Sequence, residues 1–314
     1  MMGNILFIGG AGFIGSSILR RLLNVKNDSD LYVVEHAFAN VSRLYGLKVN
    51  LYRCDLGNFD FIESIIRKNK IDTIVHLVST LIPGSGYEDY KKEIQTVAFP
   101  TFRLTQLCSE LGIKFIYFSS GGTVYGNRKS PIPFKESDER EPISYYGLTK
   151  LMIENNILFE HRTQNLRYLI VRPSNPYGHG QALNGKQGII AVAIGKLING
   201  DSIEIWGDGS SVRDYIYIDD LADAFCKLLE NDVENTIVNI GSGEGYSVND
   251  IMDKLKEVSS KPIKIEYKPA RNADVSTMIL SVDKLRSLID LKLTPLTEGM
   301  KIFYNEEIKK LGQL

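Results

Sequence analysis

The sequence predicts an α/β protein built on a doubly wound parallel sheet, with a smaller C-terminal α/β lobe. Short buried strands alternate with helical patterns through the first half of the chain. A glycine-rich turn separates the first strand from the first helix, and an acidic residue ends the second strand. With 314 residues, the chain is long enough to bury one such sheet and a further lobe.

The first strand, residues 4 to 8, is an apolar run that ends at a glycine, and apolar residues then recur at helical spacing. The glycines of the turn stand three apart, which lets a pyrophosphate approach backbone N–H groups at a helix N-terminus. We therefore expect a Rossmann-type dinucleotide site formed by the turn and the start of the helix. Its residues are Gly9, Gly12, Phe13, Ile14 and Gly15.

The second strand, residues 31 to 34, is closed by Glu35, 20 residues after Gly15. A carboxylate at this point can accept a hydrogen bond from an adenosine ribose 2′-OH. A 2′-phosphate would meet a like charge there, and Arg43 lies eight positions further on, too far to receive it. The sequence therefore predicts NAD as the cofactor and not NADP.

Later strands are expected at residues 48 to 53, 72 to 77, 114 to 119 and 168 to 172. Asp55, just after the third strand, either contacts an adenine amino group or caps the helix that begins near Asn58. Open parallel sheets bind ligands at the carboxyl ends of their strands, so further cofactor contacts are expected there. The candidates are Leu56, Leu77, Val78, Ser79 and Pro173.

The strongest catalytic signal lies on a helix for which Ser144 is the expected N-cap. Tyr146 and Lys150 are four residues apart, so both side chains emerge on one face of that helix. An adjacent ammonium stabilises a phenolate and thereby lowers the pKa of the tyrosine. Alone, a tyrosine and a lysine four residues apart are usually ordinary side chains that are partly exposed to solvent. Together with the glycine turn and the SSGGTVYG segment between them, it predicts a catalytic base.

Charge and composition exclude several classes of protein. The 37 basic and 38 acidic residues give a formal charge of −1, which predicts neither a nucleic-acid partner nor a membrane one. Three scattered cysteines, Cys54, Cys108 and Cys226, are expected in the core, and the four histidines show no metal-ligand spacing. The first strand begins at once and no apolar run is long enough to span a bilayer, so we expect a soluble cytoplasmic protein.

Seven motifs occur in order: GGAGFIG at 9 to 15, Asp55, SSGGTVYG at 119 to 126, YGLTK at 146 to 150, RPSNPYG at 172 to 178, GDGSSVRDYIYIDDLADAF at 207 to 225 and NIGSGEGYS at 239 to 247. On these, the chain resembles the extended short-chain dehydrogenases/reductases. The branch is that of nucleotide-sugar epimerases and dehydratases, typified by UDP-glucose 4-epimerase. The resemblance implies an NAD-binding domain over residues 1 to 174, joined by elements from about 207 to 240, and a nucleotide-sugar lobe over 175 to 314.

The resemblance also implies catalytic roles. Tyr146 is the base, and Lys150 holds the nicotinamide ribose and lowers the pKa of Tyr146. A serine or threonine hydroxyl usually assists at the position of Gly121, which also borders the substrate. Here either Ser120 or Thr123 must replace it, or Tyr146 works with less help.

On the substrate side, the family's asparagine that contacts the diphosphate corresponds to Asn175. Arg213 and Arg271 suit phosphate oxygens because a guanidinium fork binds them in a bidentate way, and Asp274 lies beside Arg271. Gln187 and Gly188 open a helix whose N-terminus favours an anion. Trp206 either flanks the uracil or packs, and packing is the favoured interpretation.

Relatives share an opening step that yields a 4-keto sugar and NADH. A 4,6-dehydratase carries Asp and Glu where this chain has Gly122 and Thr123, so 4-epimerisation of a UDP-hexose is preferred. The hexose is of the UDP-glucose/UDP-galactose type or its N-acetyl or uronic acid form. A dehydratase or reductase is the alternative, and a non-catalytic NAD sensor would be expected to lose Tyr146 and Lys150. Relatives commonly form homodimers through two long helices, here near 88 to 111 and 144 to 164.

Overall fold

The computed structural model describes residues 3–25, 30–128, 132–185, 187–269 and 276–312. The strands are β1 (Asn4–Ile8), β2 (Leu31–Glu35), β3 (Asn50–Arg53), β4 (Ile71–His76), β5 (Lys114–Phe118), β6 (Tyr168–Pro173), β7 (Asn175–Tyr177), β8 (Ile203–Trp206), β9 (Val212–Tyr217), β10 (Thr236–Ile240), β11 (Gly245–Ser247), β12 (Ile265–Lys268) and β13 (Thr277–Met278).

The α-helices are α1 (Phe13–Asn24), α2 (Phe59–Lys68), α3 (Tyr87–Glu93), α4 (Phe99–Leu111), α5 (Tyr145–Gln164), α6 (Ile189–Asn199), α7 (Ile218–Glu230), α8 (Val248–Ser259), α9 (Asp283–Leu288) and α10 (Leu296–Gly312). A short 3₁₀ turn covers Ser42–Leu44, and a π-helical segment, Ile94–Ala98, joins α3 to α4. The one long helix expected over 88 to 111 is thus interrupted by a wider turn.

Seven strands form a parallel sheet in the order β10-β6-β5-β4-β1-β2-β3. One face packs against α1 and α7, and the other against α2, α4 and α5. The chain reverses its direction of winding at β1, which lies between β4 and β2. In such sheets a ligand binds in the crevice at the carboxyl ends of the strands near this reversal.

The smaller lobe has its own apolar core. In one sheet β9 pairs with β7, β11 and β13, while β8 pairs with β12 in a second. Helices α6, α8 and α10 cover these sheets with a cluster that includes Ile194, Leu255 and Phe303. Residues of β7, β8 and β9 line a cavity in this lobe.

Two elements from the second half of the chain return to the large sheet. β10 adds to its edge beside β6, and α7 packs on α1, where Arg21 bonds Asp223 at 2.5 to 2.9 Å. The two parts of the molecule are therefore interleaved in sequence. Within the described residues, no helix combines the length and apolarity needed to cross a bilayer. The three cysteines are buried and free, as core residues.

Candidate active site

The glycine turn between β1 and α1 is shaped to admit a ligand against the backbone. Gly9 has φ of +84°, and a Cβ placed on Gly15 would lie 2.7 Å from the carbonyl oxygen of Gly10. Helix α1 begins at Phe13, with exposed Gly12 as N-cap, no side chain bonded at the cap and no acidic residue in its first turn. Its first N–H groups and the positive end of its dipole therefore fit a pyrophosphate.

Glu35 ends β2 beside this turn. Its carboxylate accepts a hydrogen bond from the Ala11 N–H at 2.5 Å, and burial raises its pKa. The Asp55 side chain does not cap α2, because its carboxylate pairs with His36 at 3.0 Å. Arg43 donates to the Gly180 carbonyl at 2.8 and 3.0 Å, so its guanidinium is directed at the smaller lobe.

The loop after β4 closes the crevice next to the glycines. The Leu77 N–H donates to the β1 carbonyl of Ile8, and the Val78 side chain lies against Gly9. Ser79 and Thr80 are bonded to Glu93, a buried residue that the sequence did not single out. Leu56 is partly buried against the core beneath this edge, and Pro173 ends β6.

Helix α5 carries the tyrosine and lysine into the same crevice. Ser144 caps it by accepting from the Gly147 N–H at 3.1 Å. Lys150 is 3% exposed, and its ammonium donates to the Phe118 carbonyl at 2.8 Å and lies 5.7 Å from the centre of the Tyr146 ring. The nearby Ser120 hydroxyl favours the ionised form of the Tyr146 phenol and so acts to lower its pKa.

The expected lowering of the Tyr146 pKa is wrong for the protein alone. Burial raises the pKa of Tyr146 to about 12, outweighing the hydrogen bond from Ser120. Burial likewise lowers the pKa of Lys150 to about 8, against the opposing influence of two carboxylates. Desolvation disfavours both charged forms and therefore dominates in this cleft. A cationic nicotinamide facing the phenol would instead lower the pKa of Tyr146.

Packing accounts for the glycine at the position where a hydroxyl usually assists. A Cβ on Gly121 would lie 2.5 Å from one methyl group of Leu280 and 3.0 Å from the Pro173 carbonyl oxygen. Leu280 is fully buried, so no serine fits without displacing it. Ser120 bonds Tyr146, whereas the buried Thr123 hydroxyl finds no hydrogen-bond partner among the described residues. The geometry therefore favours Ser120 as the assisting hydroxyl.

An open cavity of about 260 Å³ lies in the smaller lobe. Its lining combines apolar side chains with an arginine, a tryptophan and a helix start. These residues are Asn175, Pro176, Tyr177, Gly188, Ile189, Ile190, Glu204, Ile205, Trp206, Ser211, Arg213, Tyr215 and Val248. A pocket of this character suits a ligand with both a planar apolar part and an anionic part.

Asn175 connects the cavity with the catalytic residues. Its amide donates to the Asp214 carbonyl at 2.8 Å, and a Cβ on Gly122 would lie 3.8 Å from both the Asn175 side-chain oxygen and the Ser120 hydroxyl. Gly188 is the N-cap of α6, and Gln187 precedes it as an exposed residue. Arg271 and Asp274 lie outside the described residues.

Trp206 lines the cavity with a side chain that is 42% exposed. It is therefore placed where it can contact a ligand, in addition to the packing that the sequence analysis favours. It stands at the end of β8, and alternation along that strand leaves Ile203 and Ile205 buried. The alternation of buried and exposed residues along the strand therefore predicts that the Trp206 side chain lies on the open face.

Comparison with known proteins decides the family. The model of the NAD dependent epimerase/dehydratase family matches residues 5–241. The chain belongs to that family. The resemblance, the Rossmann-type fold and the dependence on NAD are thereby confirmed. Among the residues that the structure describes, no three or more His, Cys, Asp or Glu side chains are grouped so that they could hold a metal ion.

Relatives in this family differ in their reactions. The chain is 31% identical to a dTDP-4-dehydro-6-deoxyglucose reductase of Escherichia coli, with 89% of each chain covered. It is 32% identical to a UDP-glucose 4-epimerase of Caenorhabditis elegans, with 88% of each covered. The structure of Thermotoga maritima UDP-glucose 4-epimerase with UDP-glucose matches at a TM-score of 0.90 and 30% identity, covering 98% of this chain and 99% of that one.

Proposed function

We propose that this protein is an NAD-dependent 4-epimerase of a UDP-hexose that works through a transient 4-keto sugar. The observation that carries the proposal is the placement of Tyr146 and Ser120. Ser120 and the Asn175 side chain both approach Gly122, and Asn175 lines the cavity that contains Arg213 and Trp206. This arrangement suits a substrate with its sugar at the phenol and its nucleotide in the smaller lobe.

Each residue of the site has its own role in the proposed reaction. Tyr146 removes the proton of the sugar 4-hydroxyl and later returns it, with Ser120 holding the same oxygen. Lys150 supplies a positive charge next to the phenol and the ribose. NAD held by the Gly9 turn and Glu35 would supply the acceptor and later the donor of the hydride at C4, so that hydride could return to the opposite face of the keto sugar. Protons and hydride are thus restored, and no net oxidation occurs.

Epimerisation requires a firmly held nucleotide and a sugar that can turn. The proposed anchors are Arg213, Asn175 and the start of α6 at Gly188, all at the cavity. Gly122 faces Ser120 and Asn175 with no side chain of its own. A dehydratase of this family carries a carboxylate there, and its absence favours rotation of the keto sugar over elimination.

A reductase is the second candidate, because the E. coli relative named above reduces a 4-keto sugar nucleotide. That reaction uses the same hydride step in one direction only, and each turnover consumes one NADH. A reductase must therefore exchange its cofactor, whereas an epimerase keeps it. The two candidates also differ in their substrates, because an epimerase acts on a UDP-hexose with a 4-hydroxyl, whereas a reductase acts on a 4-keto sugar nucleotide.

The deciding experiment combines cofactor retention with product analysis. We expect NAD to remain with the protein through gel filtration, and UDP-hexoses to be converted to their C4 epimers, read by NMR, without net change in NADH absorbance. UDP-, dTDP- and GDP-sugars form the panel. Net oxidation of added NADH by a 4-keto sugar nucleotide, with no epimer formed, would replace epimerase by reductase.

We also infer that the protein forms a homodimer through α4 and α5. These neighbouring helices carry large exposed apolar side chains, with Phe99, Leu148 and Phe159 each 41 to 60% exposed. Exposed apolar surface of this kind marks contact with another chain. Replacing Phe99 and Phe159 by Ser should yield a monomer in sedimentation, and an unchanged dimer would refute this surface.

A further inference from the structure

Two segments that belong to different lobes meet at Arg43. This residue lies in the 3₁₀ turn Ser42–Leu44 that follows β2, and its guanidinium donates to the Gly180 carbonyl at 2.8 and 3.0 Å. Gly180 stands in the loop after β7, 137 residues further along the chain. Leu44, beside Arg43, is buried in the core of the large sheet, so the turn is a fixed base for this contact.

The order of the strands shows what lies between these two segments. The turn with Arg43 leaves the large sheet from β2, whereas the loop with Gly180 leaves it from β6 by way of the short strand β7. The strands β1, β4 and β5 stand between β2 and β6. Because neighbouring strands lie about 4.8 Å apart, turn and loop together span roughly 19 Å of the carboxyl edge. That edge includes the glycine turn that follows β1.

The helices on this face of the sheet lead to the same conclusion. Helix α1 packs against both the turn with Arg43 and α7. The loop that carries Gly180 is held at the start of α7. His179 pairs with Asp219 at 2.7 Å, and a Cβ on Gly178 would lie 2.7 Å from the first residue of α7. The link from α7 to the turn therefore crosses the N-terminal end of α1, which is the pyrophosphate site.

The same loop reaches the cavity of the smaller lobe at its other end. Gly188, the N-cap of α6, lines that cavity, and a Cβ on it would collide with the Gln181 side chain. Among the contacts that the structure describes, the hydrogen bonds to the Gly180 carbonyl come from Arg43 alone. Arg43 therefore fixes the middle of a loop whose two ends are held by the smaller lobe and by α7.

We propose that Arg43 is a positioning residue for the cofactor, whose guanidinium holds the loop with Gly180 across the dinucleotide crevice and so slows the release of bound NAD. Arg43 acts through the loop, and its guanidinium is engaged with Gly180 and not with the dinucleotide. The inference deepens the proposed function and rests on it for its purpose, because an epimerase keeps its NAD whereas a reductase must exchange it.

The test measures how fast NAD leaves the holoprotein. Protein equilibrated with radiolabelled NAD is mixed with an excess of unlabelled NAD, and the label that stays bound is read after rapid desalting at successive times. In Arg43→Ala the release should be about tenfold faster than in the wild type, the effect of losing one hydrogen bond from a charged group. Arg43→Lys should lie between the two, because an ammonium keeps the charge without the planar fork. Release from Arg43→Ala at the wild-type rate would overturn the proposal.

Arg67→Ala is the matched control. Arg67 is also an arginine near the surface, but it pairs with Glu63 in the last turn of α2, just before β4 begins and thus at the opposite edge of the sheet. Its NAD should leave at the wild-type rate. Equally fast release from Arg67→Ala and Arg43→Ala would refute a specific role for Arg43. If Arg43→Ala does not fold, Arg43→Lys decides, and wild-type release from that variant refutes the proposal.

Hydrogen exchange separates a loosened loop from a damaged cofactor site. It is measured with NAD in excess, so that the protein stays loaded. In Arg43→Ala the Gln181 N–H, which donates to the Gly178 carbonyl at 3.2 Å, should exchange faster. The Ser16 N–H of α1, which donates to the Gly12 carbonyl at 3.0 Å, should keep its protection. Lost protection at Ser16 together with faster release would make Arg43 a structural residue of the site and overturn the proposal.

Neither measurement uses a sugar nucleotide, so the inference and the proposed function can fail separately. A protein that forms no C4 epimer but releases NAD faster in Arg43→Ala keeps the inference and loses the epimerase proposal. A protein that forms the epimer but releases NAD equally fast with and without the Arg43 guanidinium keeps the proposed function and loses the inference.

Discussion

The dinucleotide crevice and the nucleotide-sugar cavity are built in different ways. In the crevice, the glycines, Glu35 and the loop at Ser79 all stand at carboxyl ends of neighbouring parallel strands. The cavity draws on β7, β8, β9 and the start of α6, which lie in two separate small sheets and a helix. A parallel sheet collects its ligand groups by topology, whereas the lobe must assemble them by packing.

The largest expected effect tests whether the two regions meet at Tyr146. Tyr146→Phe removes the base and should lower turnover by roughly 10³-fold or more, as expected for loss of general acid–base catalysis. Affinity for UDP and retention of NAD should change little, because the ring remains. Steady-state rates measure the loss of turnover, and calorimetry measures the affinity for UDP separately. Turnover at the wild-type rate would remove Tyr146 from the mechanism.

The next effect is confined to the crevice. Gly15→Ala forces a methyl group within 2.7 Å of the Gly10 carbonyl oxygen. We expect roughly 1–3 kcal/mol of strain, seen as weaker NAD retention and a lower unfolding midpoint. Gly57→Ala is the control, because a Cβ there meets nothing within 4 Å. UDP binding should be unaffected, and an equal loss of UDP affinity would contradict the separation of the two regions.

The corresponding change in the cavity is Arg213→Ala. Charged hydrogen bonds contribute roughly 1.5–3 kcal/mol, so UDP affinity should fall by about 10- to 150-fold while bound NAD is kept. Arg213→Lys should recover only part of the affinity, because a lysine keeps the charge without the planar fork. Calorimetry with UDP measures both. Wild-type affinity in Arg213→Ala would exclude this residue from the nucleotide site.

The effect that is smallest at neutral pH concerns His76 in β4. Its pKa is lowered to about 3 in the folded protein, against 6.5 for an ordinary histidine. The unfolded chain therefore binds the extra proton as pH falls below 6.5, and stability declines by up to about 1.4 kcal/mol per pH unit toward pH 3. Urea unfolding of wild type and His76→Gln across this range should show a shallower pH dependence in the variant. Identical slopes would contradict the assignment.

The sequence predicted more of the dinucleotide crevice than of the nucleotide-sugar cavity. The Gly9 turn, Glu35 and the pair on α5 follow from local spacing, and the structure places them around one crevice. In the cavity, Asn175 was proposed through resemblance and Arg213 from the chemistry of its guanidinium, while packing was favoured for Trp206. No pattern indicated how β8 and β9 would be arranged around it, because their partners lie far along the chain.

By itself the sequence determined the doubly wound fold, the glycine turn and the presence of Tyr146 and Lys150 on one helical face. These features depend on backbone geometry over a few residues, and the composition and periodicity of the sequence indicate that geometry directly. Only the tertiary structure decided that Leu280 occupies the space beside Gly121, and that Glu93 is buried against Ser79 and Thr80. Burial and the electric field inside a cleft come from residues distant in sequence, so they exist only once the chain has folded.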